Sequence, residues 1–464
     1  MSGMRQKIQY QLELAFMADG EGEARTSTVQ GTEPRMANST TERPVATESL
    51  MEEVCERSNV EEAWRRVRAN KGSAGVDEMS IAAAEDYLRE HWPTIRGQLL
   101  DGTYQPQPVR RVAIPKPDGG GVRKLGIPTV IDRWVQQAVL QVLQKLWDPT
   151  FSDCSYGFRP KRSAHQAVER AQSYLAAGYR WVVDLDLEKF FDRVNHDILM
   201  GLVSKRIGDK RMLKLIRAFL NAGVMEDGLV RPTKEGAPQG GPLSPLLSNL
   251  VLDVLDQELE RRGHQFVRYA DDCNVYVRSR RAGERVMQNI TDFVTHRLKL
   301  KVNSSKSAVA RPWQRKFLGF TFTSGRKPKR RIAPKAITRF KQRVRELTRR
   351  RGGISMPQRI SRLATYLRGW RGYFGHCQTP SVLEDLDSWL RRRLRAVIWK
   401  QWQRGRTRHK RLRQLGVSPA KARRSAYSSD GPWRMSASPA MCVAFPNAYF
   451  HSLGLPRLVD SRST

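Results

Sequence analysis

Three aspartates stand where a divalent cation would bind. Asp186 closes the apolar run Trp181-Val182-Val183-Asp184-Leu185-Asp186, and Asp271 and Asp272 sit side by side in Tyr269-Ala270-Asp271-Asp272. Apolar stretches flank that second group, Gln265 to Arg268 before it and Cys273 to Val277 after it, so it reads as a tight turn between two strands. Carboxylates at the ends of buried strands are costly unless a cation sits among them. Hard oxygen ligands with few His or Cys nearby favour Mg²⁺. Two such ions about 3.5–4 Å apart activate an attacking hydroxyl and stabilise a leaving pyrophosphate. Phosphoryl transfer of this kind asks for positioning and charge neutralisation more than for a general base. Asp184 lies two residues before Asp186, on the same strand face, so alternation leaves it open as a ligand. Asp192 reads as a solvated acid of the following helix.

The rest of the chain carries the opposite charge. Its 464 residues hold 82 Lys and Arg against 46 Asp and Glu, a net charge of +36 with pI near 10.6. A globular chain this basic meets a polyanion, and phosphate backbones are the commonest one. Hydrophobic residues at 39% suffice for packed cores, which excludes a wholly disordered chain. The five cysteines are scattered and form no C-x-x-C, which argues against a zinc ribbon or a disulfide framework and fits a reducing compartment. No apolar run approaches the ~18 residues of a membrane helix, and the N-terminus lacks a signal-peptide core.

Periodicity supplies the elements that position the acids. Residues 1–48 are poor in apolar period and read as a flexible extension. Helical patterns cover 81–100, 131–146 and 164–176, and short strands cover 109–114 and 122–125 around a Pro-Asp-Gly-Gly-Gly turn. Strands and helices alternate to about residue 322, an α+β arrangement. Beyond 325 the strand signal fades. Residues 331–420 contain 24 Lys or Arg against 4 Asp or Glu, and Leu386, Leu390, Leu394 and Ile398 form a helical stripe. This section reads as a basic, solvent-facing helical module, with a small irregular unit after it.

These motifs, taken in order, resemble reverse transcriptases. Tyr269-Ala270-Asp271-Asp272 is similar to the catalytic turn of that family. Asp186-Leu187-Glu188-Lys189-Phe190-Phe191-Asp192 resembles its first acidic motif, with Asp186 as the metal ligand and Phe191 beneath the nucleotide sugar, where a ring excludes a 2′-OH. Gly236-Ala237-Pro238-Gln239-Gly240-Gly241-Pro242 resembles the loop that contacts the incoming nucleotide, and Ile114-Pro115-Lys116 with Arg123-Lys124-Leu125-Gly126-Ile127-Pro128 resembles the fingers hairpin. Leu300 to Ser307 and Phe317-Leu318-Gly319-Phe320 resemble the closing palm motifs. The resemblance implies Asp186, Asp271 and Asp272 as catalytic residues. It implies two Mg²⁺ ions, replaceable by Mn²⁺, on those acids and the Leu187 backbone, and nucleotide contacts from Lys116, Arg123, Phe191, Gln239 and Lys306.

Tyr156-Gly157-Phe158-Arg159-Pro160 and the Asn70–Asp77 loop narrow the resemblance to group II intron proteins, and Leu367 to Phe374 with Trp389 to Trp402 are similar to their maturase region. Ser425-Ala426-Tyr427 and Gly431-Pro432-Trp433-Arg434 resemble the end of bacterial class C members. The implied fold is a right-hand polymerase. Fingers and palm span 49–325, an α-helical thumb or maturase domain spans 326–415, and a basic C-terminal unit resembling a DNA-binding region spans 416–464. The implied partners are intron RNA, an RNA template with a DNA primer, target DNA and deoxynucleotides, in a bacterial cytoplasm near the nucleoid. Arg368, Arg391, Arg392, Arg393, Arg395 and Lys400 are the expected RNA contacts, and half or more of Trp370, Trp389, Trp399 and Trp402 are expected in the helical core. Lacking C-x-x-C and H-N-H-like clusters, the sequence is expected to have no strand-nicking activity of its own. A non-catalytic splicing factor and a domesticated polymerase of the same family are the alternatives.

Overall fold

The computed structural model describes residues 48–115, 121–226, 228–232, 235–236, 240–349 and 353–459. The expected flexible extension therefore lies almost wholly outside the described residues, as do Lys116, Ala237 and Gln239. The described chain forms two compact units that divide at Arg311–Pro312, earlier than the fading of strand signal near 325.

The first unit opens with helices α1 (Leu50–Val54), α2 (Arg57–Ala69) and α3 (Ile81–Leu100). Strands β1 (Val109–Pro115) and β2 (Val122–Ile127) follow, then α4 (Val130–Trp147), α5 (Ala164–Ala176), β3 (Trp181–Leu185), α6 (Phe190–Arg193), α7 (His196–Ser204) and α8 (Lys210–Asn221). The unit closes with β4 (Val224–Glu226), β5 (Leu229–Arg231), α9 (Ser244–Arg261), β6 (Gln265–Tyr269), β7 (Asp272–Val277), α10 (Arg280–Arg297) and β8 (Ala308–Ala310). Local chemistry fixes several helix starts. The Ser80 and Thr129 side chains accept from the backbone N–H of Ala83 and Asp132, and Ser163 forms a reciprocal capping box with Gln166.

Two four-stranded sheets result, ordered β2-β1-β4-β5 and β6-β7-β3-β8. The second is the palm. Its β3 runs antiparallel to β7, with Leu185 opposite Cys273, and β6 pairs with β7 through Tyr269 opposite Asp272. Helix α9 is buried along most of its length, and α5 and α10 also pack against the palm strands. One apolar core runs through the unit and includes Val183, Leu185, Leu247, Leu250, Phe266 and Val275.

The second unit begins with β9 (Phe320–Phe322) and β10 (Arg330–Ile332), a two-stranded sheet. Helices α11 (Pro334–Leu347), α12 (Met356–Phe374), α13 (Pro380–Gln401), α14 (Gly405–Gln414), α15 (Pro419–Ala426), α16 (Pro432–Met435), α17 (Pro439–Ala444) and α18 (Asn447–Ser452) complete it. Leu386, Leu390, Leu394 and Ile398 are all buried, as their four-residue spacing predicts. No helix among the described residues is long and apolar enough to cross a membrane.

Candidate active site

Strand register brings the acids together. Because Leu185 faces Cys273, the residues just beyond them, Asp186 and the Ala270–Asp272 turn, meet at one end of the palm sheet. The turn is a two-residue connection whose first residue, Ala270, has φ +56°. Alanine pays on the order of 1–3 kcal/mol there, so the surroundings must impose that conformation. Asp271 is open to solvent on its outer side, but the protein mass behind it raises its carboxyl above the ordinary carboxylate range. The facing negative charge of Asp186 adds to that rise, while Arg123 and Arg268 oppose it.

A loop after α10 holds Asp186. The Asp186 N–H donates to Ser307 Oγ at 2.9 Å, and the Asn303 N–H donates to the Asp186 carbonyl at 2.8 Å. Leu187 bridges Val302, and the Glu188 N–H donates to the Lys301 carbonyl. Lys306 then lies with its Nζ 3.5 Å from Asp186 Oδ2. The Leu300–Ser307 motif thus builds the acid site's wall. Arg123, on β2, acts on the Asp271 charge from the strand hairpin. Phe191 is half-buried beside Phe190, at a centroid distance of 5.2 Å. Asp192 is exposed, in keeping with a solvated acid.

Among the described residues, no group of three or more His, Cys, Asp or Glu is gathered as a ready metal cage. The Asp186 charge acts on Asp271, and Asp272 begins β7 as an exposed residue with partners of its own. Two hard oxygen donors with mutually unfavourable charge still suit a hard divalent cation.

The basic helix differs from expectation. Arg391, Arg392, Arg393 and Arg395 do not form a free solvent face. Arg391 pairs with Asp387 at 3.3 Å, and Arg392 lies 4.2 Å over the Trp433 ring and donates to the Trp433 carbonyl. The Arg393 Nε donates to Thr348 Oγ1 at 2.8 Å, and the Arg395 Nε donates to the Phe445 carbonyl at 2.9 Å. The C-terminal helices cover this side of α13, so guanidinium groups flanking an apolar stripe become packing groups. Arg368 and Lys400 are exposed. Trp370 and Trp399 are buried, and Trp389 and Trp402 are half-buried.

Sequence reasoning missed the groups behind the acid turn. Arg268, Asp256, Asn249 and Ser155 are all buried there. An arginine inside the apolar run Gln265-Phe266-Val267-Arg268-Tyr269 was the available signal.

Residues 114–322 match the reverse transcriptase (RNA-dependent DNA polymerase) family, and residues 337–416 match the group II intron maturase-specific domain. Over these two segments the chain is similar to group II intron reverse transcriptases and maturases. The protein YkfC of Escherichia coli is 42% identical to it over 207 residues, 43% of this chain and 54% of that protein. The group II intron-encoded protein LtrA of Lactococcus lactis is 37% identical over 255 residues, 55% of this chain and 41% of LtrA. The chain thus spans about half the length of the curated relatives it matches. The reverse transcriptase match contains Asp186, Asp271, Asp272 and Arg123, and the maturase match contains Arg368, Arg391 and Lys400.

Proposed function

We propose that the protein is an RNA-directed DNA polymerase that also binds group II intron RNA, assists its splicing and supports intron mobility. The observation that carries this reading is the strand register that brings Asp186 and the Asp271–Asp272 turn to one end of a single sheet, in a chain of net charge +36. An acid pair opposed by a hairpin arginine suits a triphosphate whose charge must be held and then redistributed.

Each residue has a separable task. Asp186 and Asp271, with Asp272 and the Leu187 carbonyl nearby, would hold Mg²⁺, with Mn²⁺ as a substitute. Bound there, the ions would neutralise charge developing on the transferred phosphoryl group. Arg123, with Lys116 and Gln239 outside the described residues, grips the deoxynucleotide. Phe191 supports its sugar and rejects a 2′-OH. Lys306 offers a cation to the departing pyrophosphate. The 49–325 segment serves as fingers and palm, 326–415 as thumb and maturase domain, and 416–464 as the unit that meets target DNA. In the helical section, Arg368 and Lys400 are the exposed candidates for intron RNA. Arg391, Arg392, Arg393 and Arg395 act through the integrity of that surface.

Primer extension on an RNA template tests the reading. Asp186→Ala and Asp271→Ala should each abolish DNA synthesis and leave intron RNA affinity within about two-fold, because RNA binding rests on the basic surface. A wild-type chain that binds the RNA but extends no primer would favour a splicing factor without polymerase activity.

A further inference from the structure

The groups buried behind the acid turn form one connected network. Arg268 and Asp256 are both 0% exposed. The Arg268 Nε donates to Asp256 Oδ1 at 2.8 Å, and Nη2 donates to Ser155 Oγ at 2.7 Å. Nη1 donates to Asn249 Oδ1 and to the Ala270 carbonyl, both at 2.9 Å. Asn249 Nδ2 in turn donates to the Gly157 carbonyl at 2.8 Å. Main-chain bonds tie the same pieces together. The Arg268 N–H donates to the Cys154 carbonyl, and the Tyr156 N–H donates to the Arg268 carbonyl.

Stability alone does not account for this arrangement. A buried ion pair gains little over well-packed apolar side chains, because both charges must be stripped of water. What apolar side chains cannot supply is the donor aimed at the Ala270 carbonyl. That carbonyl belongs to the residue at φ +56°, the strained position that sets where Asp271 points. A guanidinium suits the task because its planar fork reaches an acid, an amide, a hydroxyl and a carbonyl from one rigid group. Lysine keeps the charge and loses the fork.

We infer that Arg268, anchored by Asp256, Asn249 and Ser155, is a positioning residue that fixes the Ala270 carbonyl and thereby aims Asp271 into the site. The inference rests on the polymerase reading and adds a residue that touches neither nucleotide nor template. It also gives Ser155-Tyr156-Gly157 a task as the rear brace of the turn.

The test compares full-length wild type with Arg268→Lys and with the milder Ser155→Ala. Readouts are kcat, KM for deoxynucleotide, primer–template affinity, the half-saturating Mg²⁺ concentration and the thermal melt. Arg268→Lys should lower kcat on the order of 10- to 100-fold and raise the Mg²⁺ requirement several-fold, with KM and primer–template affinity within about two-fold. Ser155→Ala should shift kcat and Mg²⁺ in the same sense by a few-fold. A folded Arg268→Lys with wild-type kcat and Mg²⁺ response overturns the inference. So does a loss in kcat matched by an equal loss in substrate affinity, which marks general loosening. If Arg268→Lys does not fold, Ser155→Ala decides by the same criteria. A wild-type chain without synthesis overturns the polymerase reading itself, and the role of Arg268 falls with it.

Discussion

Gly157→Ala should slow DNA synthesis by on the order of 100-fold while leaving the protein folded. A Cβ built on Gly157 would overlap the Ala270 N, and would stand 2.9 Å from the Tyr269 C and 3.1 Å from the Ala270 Cα. Ordinary contact begins near 3.4 Å, and all three atoms belong to the main chain of the acid turn. No side-chain rotation relieves the crowding. The turn must retreat, and a shift of roughly 1 Å at a reacting group costs about 100-fold in rate. Overpacking of this size destabilises by about 1–3 kcal/mol, well short of global unfolding for a unit of this size. The assay is single-turnover deoxynucleotide incorporation on an RNA template, with thermal melts alongside. Gly201→Ala is the matched control, because nothing lies within 4 Å of its new Cβ and helix α7 gains about 0.5–1 kcal/mol. A Gly157→Ala protein that turns over at the wild-type rate would refute the claim that this loop braces the turn.

Four further outcomes follow from particular contacts. Arg392→Ala removes the stack on Trp433 and its hydrogen bond, so the helical unit should lose about 1–2 kcal/mol in urea unfolding, with the salt slope of RNA binding unchanged. Arg368→Ala and Lys400→Ala should leave stability alone and each reduce that slope by about 1, and an unmoved slope removes them from the RNA surface. Phe191→Ala should raise ribonucleotide incorporation on the order of 10- to 100-fold in competition assays, and unchanged discrimination would make Phe191 purely a packing residue. Burial pushes the Asp132 carboxyl up to about 6 despite bonds from Thr129, Tyr104 and Gln107. Its folded value exceeds its unfolded one, so its stabilising contribution is full below about pH 4 and is lost as pH rises through 6, a change of ~3 kcal/mol. Asp132→Asn should flatten that part of the urea midpoint profile, and a parallel profile would refute it.

Local signals carried much of the fold. The helices read over 81–100 and 164–176 coincide with α3 and α5, because Ser80 and Ser163 are strong caps and the apolar period is unbroken. The strand–acid–strand pattern around Asp271 was visible because alternation and a two-residue turn leave a local mark. The rear brace was not visible. Arg268 meets Asp256 12 residues away, Asn249 19 away and Ser155 113 away, and no local period encodes such partners. The arginines of α13 misled for a related reason. Periodicity identified the Leu386–Ile398 stripe, but it does not show that helices some 40–50 residues later cover the neighbouring face.

The charge layout around Asp186 follows from the same long-range folding. Asp271 faces it as a like charge, and Lys306 approaches from the loop that Ser307 and Asn303 tie to the Asp186 backbone. The Lys306 side chain is 62% exposed, so its attraction is heavily screened and offsets little of the acid pair's repulsion. A more compact, more strongly charged cation fits the remaining field better than an ammonium on a flexible stem. In the proposed site Lys306 would then turn to the departing phosphate once the acids are otherwise neutralised. A divalent ion held in the proposed site would take the place of Lys306 at Asp186, and the backbone ties from Ser307 and Asn303 would keep the aspartate in position for either cation.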